Sequence, residues 1–111
     1  MGISASKFGH ASNDYELAIR SSKELEHFLE VEFGATGKGL HEKITSSSGF
    51  LTPSLVKDMR YLATIRNKLI HEVRFDAIPN RTVFIEKFEK SKQELRHICK
   101  ERGNEHSCII S

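Results

Sequence analysis

The sequence predicts an all-α domain, an up-down bundle of three long helices and one short one, on three observations. Apolar residues recur at three- and four-residue spacing through three long stretches. Residues that start and stop helices punctuate those stretches: Asn13, Gly34, the pair Thr52-Pro53, and Gly103. No run alternates apolar and polar residues for long enough to make a strand, and no internal repeat is present.

The first helix starts at Asn13 or Asp14, either of which can accept a hydrogen bond from the first unpaired amides. Its apolar positions are Tyr15, Ala18, Leu25, Leu29 and Phe33, with Leu17 and Phe28 beside them. Gly34 ends it, because glycine tolerates the left-handed conformation of a helix terminus. Between Gly37 and Gly49, Leu40 and Ile44 stand four apart, which fits a two-turn helix leading into a Ser46-Ser47-Ser48-Gly49 loop. Thr52 is a natural N-cap, and Pro53 occupies the first helical position, where its missing amide costs nothing, so the next helix runs from Pro53 to about His71. Ala77-Ile78-Pro79-Asn80 interrupts the chain. A last helix follows, with Phe84, Phe88, Leu95 and Cys99 on one stripe, ending near Gly103.

The chain of 111 residues is 38% hydrophobic and 29% charged, which suits one domain and leaves no room for two. Two prolines and seven glycines are too few for a disordered or low-complexity chain. The division expected is a flexible N-terminus over residues 1–12, the bundle over 13–103 and a short tail over 104–111. No stretch approaches the ~18 consecutive apolar residues of a membrane span, and no apolar leader core follows Met1. With only Cys99 and Cys108 and therefore no disulfide framework, the expectation is a cytoplasmic protein. The net charge of +2 conceals a gradient. Residues 13–33 hold six acids against Arg20 and Lys23, and everything from Gly34 onward carries +5. A basic face of that size is compatible with a polyanion and equally with solvated helix surfaces.

The third helix carries the informative residue. On a wheel of about 100° per residue, Leu55, Met59, Leu62, Ala63, Leu69 and Ile70 all fall within about 60° of Arg66. A guanidinium on an apolar stripe cannot lose its proton, so it needs a carboxylate, carbonyls, water or a ligand anion. Two readings follow: a buried ion pair with Glu32, which lies about 20° from Leu25 on the first helix's own stripe, or an anion site. His71 lies about 140° round and roughly 7.5 Å along the axis from Arg66, so the two cannot meet on one regular helix. Asn67 and His71, four apart, share a face, which would let the amide orient the imidazole.

The string Arg66-Asn67-Lys68-Leu69-Ile70-His71-Glu72 resembles the signature of the HEPN superfamily, small helical bundles in which an Arg, usually followed by a polar residue, precedes a His by four to six residues. The resemblance covers the motif and a four-helix arrangement over about residues 13–102. It implies a metal-independent endoribonuclease, acting as a homodimer whose two motifs face one cleft. Catalytic roles would fall on Arg66, His71 and Asn67, with RNA as substrate and with no cofactor. In that reading Arg66 stabilises charge on the phosphorus, His71 exchanges protons with the attacking or leaving oxygen, and Asn67 holds the histidine or contacts phosphate. Lys68, on the opposite side of the helix, is a surface charge. A toxin or antiviral-defence role, with a cognate antitoxin or defence-system partner, goes with it. Some members keep the motif as non-catalytic RNA- or protein-binding modules, which is the competing reading. Others have a Tyr two residues after the His that a nucleotidyltransferase partner modifies; Val73 stands there, against the modified form.

The six histidines, His10, His27, His41, His71, His97 and His106, show no metal-ligand spacing, so no metal is expected. Gly34, Gly37 and Gly39 lack the Lys-Ser/Thr of a phosphate loop. Met1-Gly2-Ile3-Ser4-Ala5-Ser6 fits an N-myristoylation pattern, and Cys108-Ile109-Ile110-Ser111 a prenylation box. A lipidated effector is therefore a third reading, with membrane association expected only if Gly2 or Cys108 is modified.

Overall fold

The computed structural model describes residues 13–103. The lipidation-like motifs at Gly2 and Cys108, with the head and tail that carry them, lie outside the described residues. Four helices form: α1 (Asp14–Phe33), α2 (Leu40–Ser47), α3 (Pro53–His71) and α4 (Arg81–Glu101). The described part is all-helical, and none of its helices is long and apolar enough to cross a membrane.

Local chemistry sets the ends of these helices. Asn13 is the N-cap of α1, its Oδ1 accepting from the amide of Glu16 at 2.7 Å. Asp14 is thereby left to act at longer range. Its carboxylate accepts from the amide of Ile78 at 2.8 Å and pairs with Arg81, tying the loop before α4 to the start of α1. Gly34 has φ 66°, and its amide bonds back to Glu30 O, closing α1 as a left-handed glycine does. Thr52 Oγ1 accepts from Leu55 N at 3.1 Å, with Pro53 in the first turn of α3. Thr52→Ala is expected to cost about 1 kcal/mol. The check is a urea midpoint that falls with an unchanged slope; an unmoved midpoint would mean the cap contributes nothing.

Cross-helix pairs give the topology. Asp14 meets Arg81, Glu24 meets Lys92, and Glu32 meets Cys99, a nearly constant offset that makes α1 and α4 parallel neighbours. Between them α3 runs the other way, and its Asp58 pairs with Lys87 and Lys90 of α4. The short α2 lies across α1 and α3. Lys43, almost wholly buried, fixes it to α1 through Glu30 at 3.2 Å and Glu26 at 3.6 Å, and donates to Gly37 O at 2.8 Å. On the other side, Arg60 and Thr64 of α3 reach α2 through His41 and Thr45.

The core joins all four helices: Leu25 and Leu29, Ile44, Leu55, Met59 and Leu62, and Phe84, Leu95 and Cys99, each completely buried. Ser22 of α1 and Ser91 of α4 are buried without hydrogen-bond partners, small side chains that let two helices approach. At the far end Phe33 stacks on Phe50 at 5.3 Å, and the Arg102 guanidinium lies 4.3 Å from the Phe50 ring centre.

Two details differ from expectation. The serine-rich stretch is not a plain loop: α2 continues through Ser47 and a 3₁₀ turn covers Ser48–Phe50, with Ser47 Oγ bonding back to Lys43 O at 2.7 Å. Tyr15, placed by spacing on the apolar stripe, is 43% exposed. The reason is length: α2 spans about 12 Å against about 30 Å for α1, so it covers only one end of the α1/α3 pair. The other end is left open.

Candidate functional site

The uncovered stretch between α1 and α3, just beyond the start of α2, is a cleft of about 490 Å³. Ile19, Lys23 and Glu26 of α1 form one wall, and Ala63, Arg66 and Asn67 of α3 the other. Lys38, Leu40 and His41 close the end where the chain turns into α2. Its size falls within the roughly 300–1,000 Å³ of small-molecule sites.

Arg66 is half-buried here, consistent with its place on the wheel and with an incomplete cover. The buried set of α3, Leu55, Asp58, Met59, Leu62, Ala63, Ile65 and Leu69, averages about 30° to one side of Arg66. On the face of Arg66 itself, Leu55 and Met59 are sealed, whereas Ile70, one turn beyond Arg66, is 42% exposed. The guanidinium makes no ion pair among the described residues. Its Nη1 donates to Asn67 Oδ1 at 3.0 Å.

The pairing with Glu32 does not form. Glu32 lies thirteen residues along α1 from Ile19, about 20 Å away by helical rise. There its Oε1 accepts from Cys99 Sγ at 3.6 Å and its Oε2 is buried without a hydrogen bond. The shared stripe was real, but position along the axis separated the two groups. Asn67 likewise bonds to Arg66 rather than to His71: the guanidinium has only donors, and the amide oxygen is the nearby acceptor. His71 is exposed at the last residue of α3 and does not line the cleft. The structure thus brings Arg66 and Asn67 together and leaves His71 apart from them within one chain.

His41 is the neighbour that spacing did not reveal. Arg60 Nη1 lies 3.2 Å from its Nδ1, and Thr64 Oγ1 lies 3.3 Å from its Nε2. Arginine can only donate, so Nδ1 is the acceptor and Nε2 carries the proton toward the threonine. Burial first, and the Arg60 charge second, hold the His41 pKa below the ordinary histidine value. Such a group binds fewer protons folded than unfolded, so stability falls as pH drops through the ordinary histidine range, near about 6.5, and levels off below the lowered value. Urea unfolding at a series of pH values should show a smaller acid loss in His41→Gln than in the wild type; equal losses would remove His41 as the cause. Lys23 and Lys38 were also not singled out. The first is one charge among many on α1, and the second sits in a glycine-rich turn whose direction only the packed α2 decides.

Among the described residues no group of three or more His, Cys, Asp or Glu is arranged to hold a metal ion. Comparison with protein-family models, with curated proteins and with solved structures found no match.

Proposed function

We propose that the protein is a metal-independent endoribonuclease of HEPN type, acting as a homodimer in which Arg66 of one copy and His71 of the other serve one scissile phosphate. The observation that carries this is the state of Arg66: half-buried in an open cleft, bonded to Asn67 and paired with no carboxylate among the described residues. A buried structural arginine would be neutralised; this one presents its remaining donors to the cleft. The separation of His71 fits the same reading. The cleft of one chain holds Arg66 without a histidine beside it from α3, and Ile70 and Val73, 42% and 96% exposed, offer apolar contact beside His71 for a second copy.

In the reaction the RNA 2′-oxygen attacks the adjacent phosphorus as its proton leaves, and the P–O5′ bond breaks as O5′ gains a proton. The products are a 2′,3′-cyclic phosphate and a 5′-hydroxyl. His71 handles one of these protons and water the other, and Arg66 offsets the added charge on the non-bridging oxygens. Asn67 holds the guanidinium in place through its Oδ1. A toxin or defence role with a cognate partner is the biological setting that accompanies this activity.

The test incubates the purified chain with mixed RNA in the presence of a chelator, beside Arg66→Ala and His71→Ala. Wild type is expected to cleave and each variant to lose about 10²-fold or more. Intact RNA with wild type over a wide concentration range, or equal cleavage by all three proteins, ends the ribonuclease reading and favours a non-catalytic binding module.

A further inference from the structure

We infer that the α1–α2–α3 cleft of a single protomer is a phosphate-binding site of nucleotide size, in which Lys23 and Lys38 join Arg66 and Asn67 in holding the anion. This rests on the ribonuclease reading for its natural ligand, a phosphate of an RNA strand, and on the cleft alone for the binding itself.

Four observations lead there. Three cations, Lys23, Lys38 and Arg66, come from three different segments to line one cleft, and none makes an ion pair through its side chain among the described residues. Of the two carboxylates that also line it, Glu26 is paired to the buried Lys43 ammonium at 3.6 Å, and Glu42 accepts from the Lys38 amide at 2.9 Å, so the three cations outnumber the one carboxylate left without an ion pair. Asn67 Oδ1 accepts from Arg66, so the Asn67 NH₂ remains as a donor beside the guanidinium. Ile19, Leu40 and Ala63 supply apolar surface beside them, and the volume of about 490 Å³ has room for a sugar or base next to the phosphate.

The cations also have reason to stay unpaired. Lys23 and Lys38 are exposed, so their charges cost little in the empty site. An anion seated against the half-buried Arg66 would draw both flexible ammonium groups inward and form charge-assisted hydrogen bonds, about twice as strong as neutral ones. The backbone that places Lys38 is itself restrained. Gly37 has φ 126°, a Cβ there would collide with that of Glu42, and the Gly37 carbonyl accepts from Lys43 at 2.8 Å.

The experiment titrates the full chain at low salt with adenosine 5′-monophosphate, inorganic phosphate and adenosine, followed by calorimetry. The monophosphate is expected to bind about 10-fold or more tightly than adenosine, with phosphate competing against it. Arg66→Gln and the double variant Lys23→Gln/Lys38→Gln should each weaken the monophosphate about 10-fold, while Lys57→Gln/Lys100→Gln, which removes the same charge elsewhere, leaves it unchanged. Circular dichroism checks each fold, and the exposed lysine pair keeps the test valid if Arg66→Gln unfolds. Equal binding of monophosphate and adenosine, or equal losses in the two double-lysine variants, overturns the site. Displacement of the monophosphate by an uncleavable 2′-O-methyl RNA tetramer supports a strand phosphate as ligand; no displacement overturns that assignment. Because no bond is cut in these assays, a chain that binds the monophosphate yet leaves RNA intact keeps this site and loses the ribonuclease.

Discussion

Mixing two inactive variants, Arg66→Ala and His71→Ala, is expected to restore RNA cleavage to about a quarter of the wild-type rate, because in the proposed homodimer random exchange makes half of the dimers mixed and each mixed dimer would have one intact composite site. Each variant alone should be down about 10²–10⁴-fold, the range for removing a transition-state donor or a proton-transfer group. The large effect of mixing follows from helix geometry. Arg66 and His71 are about 140° apart on α3, so complementation between copies is the only way a regular helix can put both on one phosphate. Activity that stays at the level of the single variants, with exchange verified by differently sized tags, would overturn the composite site. Restoration far above a quarter would equally contradict one Arg66 and one His71 per phosphate.

The second large effect lies in the core. Phe84→Ala is expected to lower unfolding free energy by about 3–5 kcal/mol, a large part of the ~5–15 kcal/mol that holds an ordinary domain together. Phe84 is completely buried in the first turn of α4, in the core cluster that spans all four helices. Removing its ring leaves a cavity just where Asp14, Arg81 and Ile78 tie the start of α4 to the start of α1. At about 4–8 °C per kcal/mol for a domain of this size, the thermal midpoint should drop by more than about 10 °C. Val31→Ala, at a side chain 56% exposed, should stay within about 0.5 kcal/mol. A Phe84→Ala loss below about 1 kcal/mol would mean that α4 does not dock as described.

Helix starts and stops were legible because each rests on local chemistry. Asn13 or Asp14, Gly34 and Thr52-Pro53 satisfy or release backbone groups within a few residues, and Asn13, Gly34 and Thr52-Pro53 stand at those ends; the cap made by Asn80 lay unnoticed inside the break before α4. The apolar stripes of α1, α3 and α4 were legible for the same reason, since periodicity is a property of one segment. Tyr15 and Ile70 show where that reading stops. Both have the spacing of core residues, and both are exposed because the helix that would cover them is two turns long. The site was half legible. Arg66 stands out as a charge on an apolar stripe, but Glu32 looked like its partner because a wheel discards position along the axis. The contribution of Lys23, Lys38 and His41 has no counterpart in spacing at all.

The sequence by itself determined where α1 and α3 begin and end, that a short helix and a last long one accompany them, which face of the long helices is apolar, and that one permanently charged side chain lies on such a face. Those are consequences of backbone hydrogen bonding and of a 3.6-residue period, and both act within a single helix. Only the tertiary structure decided what Arg66 faces. That depends on how far α2 reaches across α1 and α3, on Lys43 and His41 fixing it there, and on which charges from distant segments meet at its open end. A short helix leaves a groove unfilled, and in this groove the uncovered position holds an arginine.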